Sequence, residues 1–345
     1  MVNKWKQFEY TRDPDEILVK IKGSTYKSYR DKWKKASQLK LVQDYPINID
    51  FELHYGCNLK CPQCILQMDG SQLDPKHPYH ILKKKGKISF EKFKEIIDEG
   101  TKYGLSSITL GVNNEPLMDK NIVKFIKYAS EKGIEDIIII TNGILLDEEL
   151  AKALLDSGLT KLYFSVDAAK ENTYENIRKG GSLKVVIKNI NYFLDLKKKE
   201  NKKLPITRVS FVKSKINEKE EEEFIRYWQD KVDSVSMQSF TTPDSVDSGN
   251  FQLADSYQID NEDIKSSGPC PQPYQRLTIY HYGSAHPCCH RYGATLILGN
   301  IYNESIYDIW NSEKMKELRL SVNHNLKMPK ECRICRKAVF GENVK

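Results

Sequence analysis

The chain has 345 residues, 54 basic against 47 acidic, and a formal net charge of +7. That length suits one large α/β domain plus a smaller one. No run of about 18 apolar residues occurs, and the opening MVNKWKQFEYTRD lacks the apolar core of a signal peptide; this excludes a membrane span and predicts a cytoplasmic protein. The lysines are spread along amphipathic stretches such as LKVVIKNINYFLDLKKKENKK, with no Arg-rich or aromatic-interleaved patch, so they read as solvated helix faces and not as a nucleic-acid groove.

Residues 1–46 form a short lead-in. A strand-like run then leads into FELHYGCNLKCPQCILQ, which sets Cys57, Cys61 and Cys64 at Cys-x3-Cys-x2-Cys spacing on a turn. SFEKFKEIIDEGTKYG follows with helical apolar spacing, Ser89 as N-cap and Gly104 as its stop. From there β-rich runs alternate with helical ones: SSITLGV, KNIVKFIKYASEKG, DIIIITN, LDEELAKALLDSG, KLYFSVD, a long helix from about Ser182 to Lys198, TRVSFV, KEEEEFIRYW and SVSMQSF. Such alternation implies parallel strands joined by right-handed crossovers. Six strands between about Ile47 and Phe240 are too few for a closed eight-stranded barrel. The expected fold class is therefore α/β, a partial (β/α)6 barrel over 47–240 with its chemistry at the carboxyl ends of the strands.

Residues 241–269 are polar and aperiodic and read as a linker or lid. Residues 270–345 carry the other five cysteines, Cys270, Cys288, Cys289, Cys332 and Cys335, and make a second, smaller domain. RLTIYHYGSAHPCC predicts a hairpin turning at Gly283, and ESIYDIWNSEKMKELRLSV predicts a helix.

Eight cysteines in a reducing compartment are better metal ligands or redox groups than disulfides. A structural zinc site completes its tetrahedron with four protein ligands, whereas three thiolates on one short loop leave a position open. An iron–sulfur cubane held by three thiolates keeps one iron free for a substrate or cofactor. Three buried apolar cysteines, or a zinc knuckle borrowing a distant ligand, are the competing readings.

CNLKCPQC resembles the motif of the radical S-adenosylmethionine (SAM) superfamily, and further segments resemble that family in order along the chain. The resemblance implies that Cys57, Cys61 and Cys64 bind a 4Fe-4S cluster whose open iron chelates SAM. Reductive cleavage of SAM then yields a 5'-deoxyadenosyl radical that abstracts a substrate hydrogen. GVNNEPLM stands where the family has Gly-Gly-Glu-Pro, which implies Glu115 as a contact to the SAM amino group, with Asn113 and Asn114 in place of both glycines. ITNG, with Asn142, resembles the end of the third strand, and FSVDAAKENTYENIR implies Ser165, Asp167 and Arg178 as polar contacts to SAM. Ile65 stands where the family usually has an aromatic residue.

The C-terminal part resembles the auxiliary-cluster extensions called SPASM and twitch. That likeness implies Cys270, Cys288, Cys332 and Cys335 as the four ligands of one auxiliary 4Fe-4S cluster; a structural zinc on the same four is the alternative. A Cys288–Cys289 swap leaves the sequence pattern intact. RKAVFGENVK adds no further cysteine, so one auxiliary cluster is expected and not two. The family implies a reducing partner such as flavodoxin or ferredoxin, and the short lead-in resembles members that dehydrogenate or epimerise small carbohydrate-like or aminocyclitol substrates. A peptide- or protein-modifying maturase and a non-catalytic iron–sulfur electron carrier are the alternatives. Cys289 is left over; if it faces the barrel mouth, it is expected to be the hydrogen donor of a redox-neutral epimerisation, and otherwise a small buried hydrophobe.

Overall fold

Among the described residues, alternating strands and helices build one ten-stranded sheet, in the order β1-β7-β6-β5-β4-β3-β2-β8-β9-β10, the last being the short strand Gly299–Asn300. The computed structural model describes residues 8–67, 80, 83–239, 270–290, 293–324, 328–333 and 335. The expected linker or lid at 241–269 lies outside the described residues. Six parallel strands form the partial barrel: β2 (Asn48–Phe51), β3 (Ser107–Leu110), β4 (Asp136–Thr141), β5 (Lys161–Ser165), β6 (Ile206–Lys213) and β7 (Ser234–Ser239). The crossovers are the expected helices. The first of them is Phe90–Tyr103, with Ser89 Oγ accepting from the Lys92 N–H at 3.1 Å and Gly104 left-handed at φ 85°. No helix among the described residues is long and apolar enough to cross a membrane.

The sheet extends past the six strands at both edges. β1 (Phe8–Tyr10) pairs antiparallel with β7. At the other edge β8 (Arg276–Ile279) joins β2 in parallel register, Asp50 opposite Thr278, and turns through Gly283 at φ 90° into β9 (Ser284–His286). The hairpin is where the sequence puts it, but it continues the barrel sheet. The segment read as one helix, ESIYDIWNSEKMKELRLSV, is two: Ile306–Asn311 and Glu313–His324, parted at Ser312, whose ψ of 154° is extended.

Side chains alternate across each strand. Ile49, Phe51, Ile108, Leu110, Ile137, Ile139, Leu162, Phe164, Val209 and Phe211 pack under the helices in the main core. The opposite positions are largely polar: Asn48, Asp50, Ser107, Thr109, Asp136, Lys161, Tyr163, Arg208, Ser210 and Ser236 are all buried. A buried charge needs a partner, and Lys161 Nζ lies 2.7 Å from Asp136 Oδ2 and 2.8 Å from Asp15 Oδ1. Asp15 belongs to α1 (Pro14–Lys22), and α2 (Ser24–Ser37) adds the Tyr26 and Tyr29 hydroxyls, 3.1 and 3.3 Å from Asp136 Oδ2. These two helices are absent from the sequence reading of the lead-in. They tie the N-terminal segment to the barrel wall.

Removing Lys161 leaves two carboxylates short of their cation. Lys161→Ala is expected to lower stability by about 3–5 kcal/mol, read from the urea midpoint at unchanged slope. Burial pushes the Asp15 carboxyl up, but Lys161 and Arg30 overcome this and hold it at about 2. Its contribution is therefore full above the ordinary value of 3.8 and fades as pH falls toward 2. The acid limb of the stability curve should be shallower in the variant.

Candidate active site

The loop after β2 carries Cys57, Cys61 and Cys64 to the carboxyl end of the barrel. There they line a cavity of about 410 Å3 with Gln63, Ile65, Asn113, Asn114, Glu115, Asn142, Ser165, Asp167, Arg178, Cys289 and His290 among the wall residues. Every SAM-contact residue named from the sequence is in that wall. The loop is held from two sides: Lys60 N–H donates to Lys179 O at 2.8 Å, and Leu59 N–H points at Cys57 Sγ at 3.4 Å. Burial pushes the Cys57 and Cys61 thiols up, and Cys64 reaches about 11, chiefly by burial and with Cys61 and Cys57 adding to its rise.

The acidic residues take different parts. Glu115 is buried, and its carboxylate accepts from Leu117 N–H at 3.1 Å, Thr141 Oγ1 at 2.6 Å and Asn142 N–H at 2.8 Å. It ties the end of β3 to the end of β4. Asp167, at φ 65°, accepts from Val212 N–H at 2.8 Å and forms an ion pair with Arg178. Asn217, which the sequence reading did not single out, donates to Asp167 O at 2.8 Å and Val212 O at 2.9 Å and fixes that turn. Burial works against the Arg178 charge, but Asp167 and Cys61 more than offset it. Asn142 Nδ2 donates to Asn58 Oδ1 at 2.8 Å, beside Cys57 Sγ at 3.7 Å. Four buried polar atoms in the wall have no partner among the described residues: Gln63 Oε1, Asn113 Nδ2, Asn114 Nδ2 and Arg178 Nε.

The segment after residue 270 brings its cysteines to the same end. Cys288 is pushed well up by burial and by Cys289, Cys270 and Cys335. A Cβ on Gly293 would meet Cys288 Sγ at 2.3 Å, so glycine keeps the space that this thiol occupies. Cys270 and Cys332 pack at the margin of the core. Cys289 turns the other way. It is exposed to the cavity, with Arg276 Nη1 at 3.8 Å from its sulfur and Asp50 behind that guanidinium at 3.2 Å.

Residues 51–227 match the radical SAM superfamily model. The chain belongs to the radical SAM superfamily. Residues 270–336 match the SPASM model, an iron–sulfur cluster-binding domain. The GTP 3',8-cyclase of Thermodesulfovibrio yellowstonii is 32% identical over 179 residues, 51% of this chain and 50% of that one; the chain thus spans about half the length of the curated relatives it matches. Streptococcus suis SuiB bound to its precursor peptide SuiA superposes with a TM-score of 0.60 at 15% identity, over 86% of this chain and 70% of that one. The enzyme anSMEcpe with bound AdoMet gives 0.58 at 15% identity, over 85% and 87%. These two likenesses speak for the fold.

SAM and two 4Fe-4S clusters are the cofactors of this radical SAM enzyme. The residues fit them. Three thiols at Cys-x3-Cys-x2-Cys spacing on the wall of one cavity suit a cluster with one open iron. The unpartnered donors of Asn113, Asn114 and Arg178 and the acceptor of Gln63 suit the zwitterionic amino-acid end of SAM. The space at Gly293 suits a thiolate at Cys288. Gly293→Ala should close that space: iron after anaerobic reconstitution is expected to drop from about eight per chain to about four, measured by colorimetric iron assay.

Proposed function

We propose that the enzyme inverts a stereocentre of a small hydroxylated substrate, carbohydrate-like or an aminocyclitol. The observation that carries this reading is Cys289, which lines the same cavity as Cys57, Cys61 and Cys64. In it Cys57, Cys61 and Cys64 hold the SAM-binding cluster, and Cys270, Cys288, Cys332 and Cys335 hold the auxiliary one. Arg178 faces the SAM carboxylate, and the amides of Asn113 and Asn114 face its amino-acid end, while Glu115, Asn142 and Asp167 keep those groups in place. Ser165 and Ser214 line the wall, and a volume of about 410 Å3 is that of a small-molecule site.

When bound and reduced by one electron, SAM supplies a 5'-deoxyadenosyl radical that takes a hydrogen atom from the substrate carbon. Cys289 completes the reaction. Its S–H bond breaks, a C–H bond forms on the face of the carbon turned toward residue 289, and a sulfur-centred radical is left behind. One further electron and one proton restore the thiol. Both electrons come from a low-potential reductant of the flavodoxin or ferredoxin class. The substrate changes only in configuration.

Replacing Cys57, Cys61 and Cys64 together by Ala is expected to abolish 5'-deoxyadenosine formation while about four irons remain; persistent 5'-deoxyadenosine would sink the assignment. Cys289→Ala is tested in D2O against a panel of hexosamines and aminocyclitols. The wild type should give inverted product carrying one solvent deuterium. The variant should still cleave SAM, with inverted product falling below a hundredth of wild type. An oxidised product, formed equally well by the variant, would replace epimerisation with dehydrogenation.

A further inference from the structure

His290 stands between the reaction cavity and the auxiliary cysteines. Among the described residues, Cys289 and His290 are the two that the segment after residue 270 contributes to the cavity wall. On its other side, His290 Nδ1 lies 3.5 Å from Cys335 Sγ, within hydrogen-bonding distance for sulfur. Cys288, two residues earlier, interacts electrostatically with Cys270 and Cys335. The imidazole therefore abuts the group of thiols and also closes the cavity.

We propose that His290 is a tuning residue, whose Nδ1–H donates to the Cys335 thiolate and raises the reduction potential of the auxiliary cluster at the point where that cluster meets the cavity. The proposal rests on the reading of Cys335 as an auxiliary ligand. A coordinated thiolate carries no proton, so the sulfur accepts and the shared hydrogen sits on Nδ1. Reduction adds a negative charge to the cluster and its thiolates. A donor aimed at a ligand sulfur stabilises the reduced form more than the oxidised one, which is how hydrogen bonds to the sulfurs set such potentials. Loss of one charge-assisted bond is expected to lower the reduced-to-oxidised ratio at fixed ambient potential up to about tenfold, 59 mV for a one-electron couple. The potential matters for Cys289, because the electron that restores its thiol arrives at this wall.

The test uses the chain in which Cys57, Cys61 and Cys64 are all Ala, so that a single cluster is observed. Its midpoint is measured by potentiometry followed by electron paramagnetic resonance, with iron counted in parallel. His290→Phe removes the donor, and His290→Asn keeps an amide N–H near the place of Nδ1. The expected result is a lower midpoint for His290→Phe, a midpoint near the parent for His290→Asn, and about four irons in both. An unchanged midpoint in His290→Phe overturns the proposal, as does an equal fall in both variants. Loss of iron from both also overturns it, since His290 would then be a ligand or a structural residue. Cys335→Ser separates the underlying reading: should it keep a normal cluster, the ligand assignment fails, and the tuning role with it.

Discussion

Charges on the inner face of the barrel cannot be left unpaired, and this constraint positions the rest of the molecule. A buried carboxylate without a partner costs several kcal/mol, on the order of ~3–5 once one member of a pair is gone. Among the described residues the inner face and its rim hold four such carboxylates with partners: Asp136 with Lys161, Asp50 with Arg276, Asp167 with Arg178, and Glu52 hydrogen-bonded to the His281 ring. Two of them reach across to the segment after residue 270. Asp50, on β2, accepts from Arg276 and Thr278 on β8. Glu52, just beyond β2, meets the His281 ring at 2.6 Å in the hairpin turn. In the register it adopts, with Asp50 opposite Thr278, β8 brings Arg276 and His281 to those carboxylates. That docking carries Cys288, Cys289 and His290 to the mouth of the barrel.

Neighbouring cysteines then face different surroundings because consecutive side chains in a non-helical segment diverge. Cys288 goes toward Cys270 and Cys335, into space kept open by Gly293. Cys289 goes toward Arg276 and the cavity. The sequence pattern alone leaves a swap between them open. The asymmetry comes from Gly293 on one side and the Asp50–Arg276 pair on the other.

The strand–helix alternation was legible because outward-facing apolar residues at two- and 3.6-residue periods report burial directly. Ser89 and Gly104 announced their helix ends by the chemistry of capping. The cavity wall was legible at Glu115, Asn142, Ser165, Asp167 and Arg178, all found in one place. What was not legible depended on partners far along the chain. α1 and α2 have weak apolar patterning, and their anchoring through Asp15, Tyr26 and Tyr29 requires Asp136 and Lys161, more than 100 residues away. The break at Ser312 is a cap hydroxyl inside an otherwise continuous apolar pattern, with Ser312 Oγ turned to Ile309 O and the Met315 N–H. Asn217 and His281 were not singled out, because nothing in their sequence neighbourhood shows the buried groups they meet.

Asn113 and Asn114, which stand where the family has glycines, put two side-chain amides into the cavity wall. Glycines allow a ligand to approach bare backbone. Here three backbone N–H groups are already engaged: Val112 N–H donates to Asn114 Oδ1 at 3.3 Å, Asn113 N–H to Glu52 Oε2 at 2.9 Å, and Glu115 N–H to Gly56 O at 3.0 Å. The donors left over are the side-chain amides, whose Nδ2 atoms are buried in the cavity wall with no partner among the described residues. Glu52 links the turn to the hairpin, since its Oε1 meets the His281 ring while its Oε2 accepts from the Asn113 backbone N–H. The hairpin after residue 270 therefore does more than carry cysteines: through Glu52 it fixes the backbone from which the two asparagine amides reach into the cavity.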